Sequence, residues 1–329
     1  MQRRASKSGE SGATRKGSFL VIGDWGWDPH AHGDNVRSSG CQKTIADAML
    51  VKMRELKDVK FIVNVGDSFY PRGVKSKTDH QWDTKWRHMY DPELRSVPWY
   101  SVYGNHDYIG DPCACGSGPE ECAQINSDIS NLDFFYMPDL NWVQAHPELD
   151  LEVIGLDLNQ YMWAYSNKTT SEYQCPFDCQ YTKCDATCER NIKHRAIDGI
   201  KLFQERSVNS LAKNLVVFSH YPTDYFFSQP DFIKGLSDNS KHNITYFGGH
   251  RHNTDQTSTI STAPNTNWVV GGGGGWSCDG REQGFVVGEI SQGGELYTYP
   301  VLVDPDACCK PLPHPRIPGF PWWKKCRNL

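Results

Sequence analysis

At 329 residues the chain is long enough to bury a large core unaided, which excludes a mini-protein held together only by covalent staples. A net charge of -5 and an isoelectric point near 6.2 give no global reason to bind nucleic acid or an anionic membrane. No window reaches the apolar length of a spanning helix, so the expected partners are small solutes or proteins, with no nucleic acid and no membrane span.

Residues 1–17 are polar, basic and rich in Gly and Ser, and read as a disordered arm. The basic start has no apolar leader stretch behind it. From Ser18 short apolar runs ending in Gly, Asp, Asn or His alternate with helical spacing. "FLVIGD" (19–24) precedes "TIADAMLVKMREL" (44–56), and "FIVNVGD" (61–67) precedes "DHQWDTKWRHMY" (79–90), read as a helix carrying Trp82, Trp86 and Met89. "VPWYSVYGNHD" (97–107), "LEVIGLDL" (151–158), a helix near 191–213, "NLVVFSH" (214–220) and "NITYFGGH" (243–250) continue the pattern. Strands that are continuously apolar and joined by helices are buried on both faces, which is an α/β signature. The end reads as strand only: "NWVVGGGGG" (267–275), then a hairpin of "GFVVGEI" and "ELYTYPVLV" across "SQGG". That change predicts a second sheet packed on the first, an α/β sandwich flanked by helices. One catalytic domain over 18–303 is expected, with a Cys-rich insertion near 160–190 and a Pro-rich basic tail over 304–329.

The sequence holds 12 cysteines, many of them clustered: Cys113, Cys115 and Cys122; Cys175, Cys179, Cys184 and Cys188; and Cys308, Cys309 and Cys326. This density favours disulfides and an oxidising compartment, with a zinc site as the alternative for "CPFDCQYTKCDATC". Sequons at Asn167 ("NKT") and Asn243 ("NIT") agree with a secreted or lumenal glycoprotein whose leader has been trimmed or lies before this start.

Metal-type residues recur at the carboxyl ends of the apolar runs: Asp24, Asp67, "GNHD" (104–107), His220 and "GGHRH" (248–252). In an α/β sheet the crevice beyond those ends binds ligands, so five strand ends aim at one place. The blocks "GDWG" (23–26), "GDSFY" (66–70), "GNHD", "HYP" (220–222) and "GHRHN" (249–253) resemble those of the calcineurin-like metallophosphoesterases. The tyrosine of the second block and "GDWG" narrow the resemblance to the purple acid phosphatases, of the small tartrate-resistant type in length.

The resemblance implies the metallophosphoesterase fold, two mixed sheets packed as a sandwich. It implies that Asp24, Asp67, Tyr70 and His252 hold one metal and that Asp67, Asn105, His220 and His250 hold the other. All these donors are oxygen or imidazole nitrogen, which suits iron, zinc or manganese. The expected centre is Fe(III) beside a divalent metal (Fe, Zn or Mn), because a phenolate favours the trivalent ion. Such a pair, with its carboxylates, phenolate and hydroxide, keeps about one positive charge to meet phosphate. The implied activity is acid phosphatase: metal-activated hydroxide attacks phosphorus in line, His106 assists near the phosphate, and inorganic phosphate is released from small phosphate esters or phosphoproteins.

A histidine that small mammalian members carry a few residues beyond "HYP" is missing from "HYPTDYFFSQPDF", where Asp224 is a possible substitute acid. Arg251 replaces the aspartate common between the paired histidines, and an extended backbone there is expected to turn it away from the site, toward Asp255 or Asp279. His30 and His32 are candidates for the rim, and Gly271–Gly275 for close approach of backbones. A dimetal phosphodiesterase or nucleotidase is the alternative enzyme, and a scaffold or receptor of the same fold is the non-enzymatic one.

Overall fold

The computed structural model describes residues 15–26, 41–109, 122–164, 185–256, 266–275, 282–304 and Cys308. His30, His32, Asn167, Asp279, most of the 160–190 insertion and most of the arm and tail lie outside them.

Among the described residues, twelve strands form two six-stranded sheets. The first contains β1 (Arg15–Ile22), β2 (Val59–Asn64), β3 (Trp99–Ser101) and β4 (Phe135–Tyr136), all mutually parallel, extended by β11 (Gly284–Ser291) and β12 (Leu296–Leu302), in the order β12-β11-β1-β2-β3-β4. The second contains β5 (Trp142–His146), β6 (Leu151–Gly155), β7 (Asn214–Phe218), β8 (Asn243–Gly248), β9 (Thr254–Gln256) and β10 (Thr266–Val270), in the order β5-β6-β7-β8-β10-β9. Its central strands β6, β7, β8 and β10 are parallel and its edges antiparallel, so both sheets are mixed.

Period-two alternation sorts the apolar residues into three layers. Phe19 and Val21 of β1 and Phe61 and Val63 of β2 meet Val216, Phe218, Phe247 and Trp268 between the sheets. Leu20, Ile22 and Ile62 face outward onto α1 (Cys41–Leu56), through Ile45 and Met49, and onto Trp82 and Trp86. On the far side, Leu215, Val217 and Tyr246 pack on α3 (Asp185–Asn209) and α4 (Pro230–Ser237), where Phe203 and Phe232 sit edge to face. A short helix, α2 (Asn105–Ile109), makes a single turn after β3.

Three expectations are corrected. The first strand starts at Arg15, inside the segment read as a disordered arm, because Arg15 is held by Asp58 and Glu289. Segment 79–90 is no α-helix: Trp82–Arg87 forms a π-helical turn that lets Trp82 and Trp86 pack edge to face with Phe135 and Trp99. The C-terminal hairpin does not found the second sheet but extends the first, with β11 pairing antiparallel to β1 from Arg15–Ser291 to Val21–Val286. Only β10, of the late strands, joins the second sheet, where it pairs β8.

Cys41, at the start of α1, is disulfide-bonded to Cys308 across a sequence separation of 267 residues. Cys122 is disulfide-bonded as well. No described helix is long and apolar enough to cross a membrane.

Candidate metal centre

The loops after β1, β2 and β3 in one sheet and after β7 and β8 in the other converge at the carboxyl edge of the sandwich. Asp24 leaves β1 with φ 56°, Asp67 leaves β2 with φ 50°, and His250 follows β8 with φ 67°. A left-handed backbone is costly for residues with a side chain, and three such residues in one cluster mark a place where position outweighs local ease. Glycines make the room. A Cβ on Gly104 would overlap Asp67 Oδ1, and one on Gly249 would crowd Asp24 Oδ2. The Gly271–Gly275 run, expected to let backbones approach, does so here: Gly273 N donates to Gly23 O at 3.0 Å and Gly275 N to Asp24 O at 2.7 Å.

The side chains fall into two groups. In the first, Tyr70 Oη lies 2.9 Å from Asp24 Oδ1, 2.9 Å from Asp67 Oδ2 and 3.4 Å from His252 Nε2. In the second, Asn105 Oδ1 lies 3.0 Å from both His220 Nε2 and His250 Nδ1, while His220 Nε2 is 3.4 Å from Asp67 Oδ2. Asp67 belongs to both. Ligand atoms of Asp67, His220 and His250 all lie within 4.8 Å of one another. All seven residues expected from the sequence are therefore neighbours, and Asp24, Asp67, Tyr70, Asn105 and His220 are buried.

Orientation is set from behind. His220 Nδ1 lies 3.0 Å from the Val65 carbonyl, and a carbonyl only accepts, so Nδ1 carries a proton and Nε2 is the nitrogen that faces the cluster. His106 Nδ1 is held likewise by Pro71 O at 2.8 Å, with its ring 4.6 Å from that of Tyr70, and its backbone N donates to Asp67 Oδ1 at 2.8 Å. Asp107 was not singled out in the sequence, although it closes the "GNHD" block. Its buried carboxylate accepts from Gly104 N at 2.9 Å, Ser68 N at 3.0 Å, Phe69 N at 3.2 Å and Gln124 Nε2 at 2.8 Å, which ties the loop after β3 to the loop after β2. Tyr221 and Tyr225, also unflagged, pack their rings 4.7 and 5.4 Å from His250.

Burial and the facing Asp67 push the Asp24 carboxyl up to about 7, although His220 and His252 oppose the shift. Burial would raise Asp67 too, but His220, His106 and His250 together hold it below the usual carboxylate range. Buried carboxylates, a phenol and imidazoles packed this tightly repel or share protons unless a cation lies among them. Their donors are the hard and intermediate atoms that suit iron, zinc or manganese, so the residues present fit a metal pair.

The loop carrying His250 and His252 departs from expectation. β8 ends at Gly248, and residues 249–253 turn rather than extend. Arg251 still leaves the cluster, but it pairs with Asp224, not with Asp255, which instead accepts from Asn253 Nδ2 at 2.6 Å. Asp224 is thus engaged by a cation from the neighbouring loop, which argues against its role as the substitute acid.

A six-plus-six α/β sandwich with an oxygen and imidazole cluster at its carboxyl edge defines an α/β architecture with a metal-type donor site between its two sheets. The chain belongs to the calcineurin-like phosphoesterase family, whose model matches residues 17–254. It is 38% identical over 150 residues to purple acid phosphatase 3 of Arabidopsis thaliana, covering 45% of this chain and 38% of that protein. It is 35% identical over 104 residues to human tartrate-resistant acid phosphatase type 5, covering 31% of this chain and 30% of that protein. The matched segments therefore span less than half the length of these curated relatives. A solved structure described as GAP50, the anchor in the inner membrane complex of Plasmodium, superposes with a TM-score of 0.54 at 18% identity, covering 88% of this chain and 89% of that one. At that identity the likeness concerns the fold alone.

Proposed function

We propose that the chain is a dimetal phosphomonoesterase of the acid phosphatase type. The observation that carries this is the division of seven side chains into two donor groups that share Asp67. In this reading Asp24, Asp67, Tyr70 and His252 hold Fe(III), and Asp67, Asn105, His220 and His250 hold a divalent Fe, Zn or Mn. When bound, the pair supplies Lewis acidity toward water and phosphate.

The chain's own residues supply orientation. The Val65 carbonyl fixes the His220 tautomer, and Asp107 fixes the loop that presents Asn105 and His106. With Nδ1 committed to Pro71 O, His106 can exchange a proton only through Nε2, which suits a group that hydrogen-bonds the transferred phosphoryl. Substrates are small phosphate esters or phosphoproteins, and inorganic phosphate is the product. The Cys41–Cys308 disulfide supports a secreted or lumenal setting, in which Asn167 and Asn243 would be glycosylated.

The test combines metal analysis, visible absorption and hydrolysis of an aryl phosphate across pH. Two metals per chain including iron, a tyrosinate charge-transfer band and monoester turnover above diester turnover are expected. An iron-loaded sample without visible absorption would remove Tyr70 from the ligand set, and dominant diester turnover would favour a phosphodiesterase or nucleotidase. An anchoring role, as described for the Plasmodium neighbour, asks nothing of a metal site, so the complete donor set favours hydrolysis.

A further inference from the structure

The six residues of β8 separate His250 from a second polar feature at the strand's amino end, about 20 Å away by the rise of an extended chain. A cavity of about 370 Å³ lies there, among the starts of β8, β10 and β12, with His242, Asn243, Thr245, Thr266, Glu295 and Tyr297 in its lining. This volume falls in the range of sites for small organic ligands.

Several observations describe the occupant. His242 is 6% exposed, and its Nδ1 lies 2.6 Å from the Ala212 carbonyl. Nδ1 therefore carries a proton, and Nε2 is the remaining polar position of the ring. That Nε2 is buried and has no hydrogen-bond partner. Glu295, held by Ser291 and by Lys213 Nζ at 2.9 Å, adds a carboxylate acceptor to the lining. Tyr297 contributes a ring that is 61% exposed, a flat apolar surface open to solvent. Acceptors, hydroxyls and an exposed aromatic face suit a neutral ring that carries hydroxyl and amide donors on an apolar face. Asn243, exposed at the first position of β8, is the acceptor residue of the sequon "NIT" and stands in the same lining.

We propose that this cavity seats a pyranose ring, namely the first N-acetylhexosamine of a glycan carried by Asn243. Attachment replaces one Asn243 Nδ2–H bond with a bond to sugar C1. The donor is a lipid-pyrophosphate-linked oligosaccharide, whose lipid pyrophosphate leaves, and the proton goes to solvent. The seat itself depends neither on the metal centre nor on the phosphatase reading.

The test uses the full chain secreted from a glycosylating host. Peptide mapping reads occupancy of Asn243, and an amidase that releases N-glycans reads protection in the folded protein. Occupancy is expected, with release from folded protein at least about tenfold slower than from unfolded protein, and with Tyr297→Ala or His242→Ala restoring fast release while leaving occupancy intact. In parallel, saturation-transfer NMR examines free N-acetylglucosamine with the unglycosylated Asn243→Gln protein. Binding there that Tyr297→Ala abolishes supports the seat, and if the natural Asn243 is bare it assigns the sugar to another source. Equal release from folded and unfolded chains, or a bare Asn243 with no free-sugar signal, overturns the proposal. Tyr297 and Asn243 are exposed, so their replacement leaves the core untouched.

Discussion

Gly104 stands where any side chain would strike Asp67, the residue that both donor groups share. Gly104→Ala is expected to displace that carboxylate and cost about 1–3 kcal/mol in chemical denaturation, with loss of bound metal by elemental analysis. Asp107 acts at one remove, by holding three backbone N–H groups. Asp107→Ala should lower activity or metal affinity about 10–100-fold, the usual effect of losing a group that orients ligands, and steady-state kinetics with metal titration reads it. The Arg251–Asp224 pair is different in kind. Its arginine side chain is 46% exposed, so Asp224→Asn should change stability by less than about 1 kcal/mol in the same denaturation assay. Six of the seven metal-type residues were legible because they lie in short polar blocks that follow apolar runs, whereas Tyr70 came only from the resemblance of its block to the family's. Asp107 was not, because a carboxylate that accepts from distant backbone carries no local pattern. The partner of Arg251 was missed because the chain turns at His250, and alternation of side chains holds only for extended backbone.

Among elements, the loop after β1 joins core to centre. Trp25 follows Asp24 directly, donates its Nε1 hydrogen to Asn64 Oδ1 at 2.9 Å, and packs its ring on Phe69, Trp86, Tyr90 and Trp99. Trp25→Ala is expected to cost about 3–5 kcal/mol by urea titration, and to weaken metal binding through the displaced Asp24. The parallel strands and α1 could be read from hydrophobic spacing, because burial on both faces leaves unbroken apolar runs. The hairpin of β11 and β12 was equally legible as a hairpin, but not the sheet it joins. Turn chemistry is local, whereas the pairing of β11 with β1 links residues some 270 positions apart, such as Arg15 and Ser291. The wide turn at Trp82–Arg87 was hidden for a related reason. Tryptophans four positions apart fit an α-helix, and only the packing of Trp82 and Trp86 on Phe135 selects the wider winding.

For the whole molecule, the Cys41–Cys308 bond closes most of the chain into a loop. Replacing both cysteines with serine is expected to lower stability by about 2–5 kcal/mol, measured by denaturant titration against the oxidised parent. The seven candidate ligands come from both sheets: Asp24, Asp67, Tyr70 and Asn105 from one, His220, His250 and His252 from the other. Ions held this way act as a clasp across the sandwich, since prising the sheets apart scatters both halves of their coordination. Occupancy and folding then form one equilibrium. Free metal at about 100 times its dissociation constant adds about 2.7 kcal/mol to the resistance against unfolding, and a chelator withdraws it, so the melting temperature of this protein becomes a gauge of the metal supplied to it.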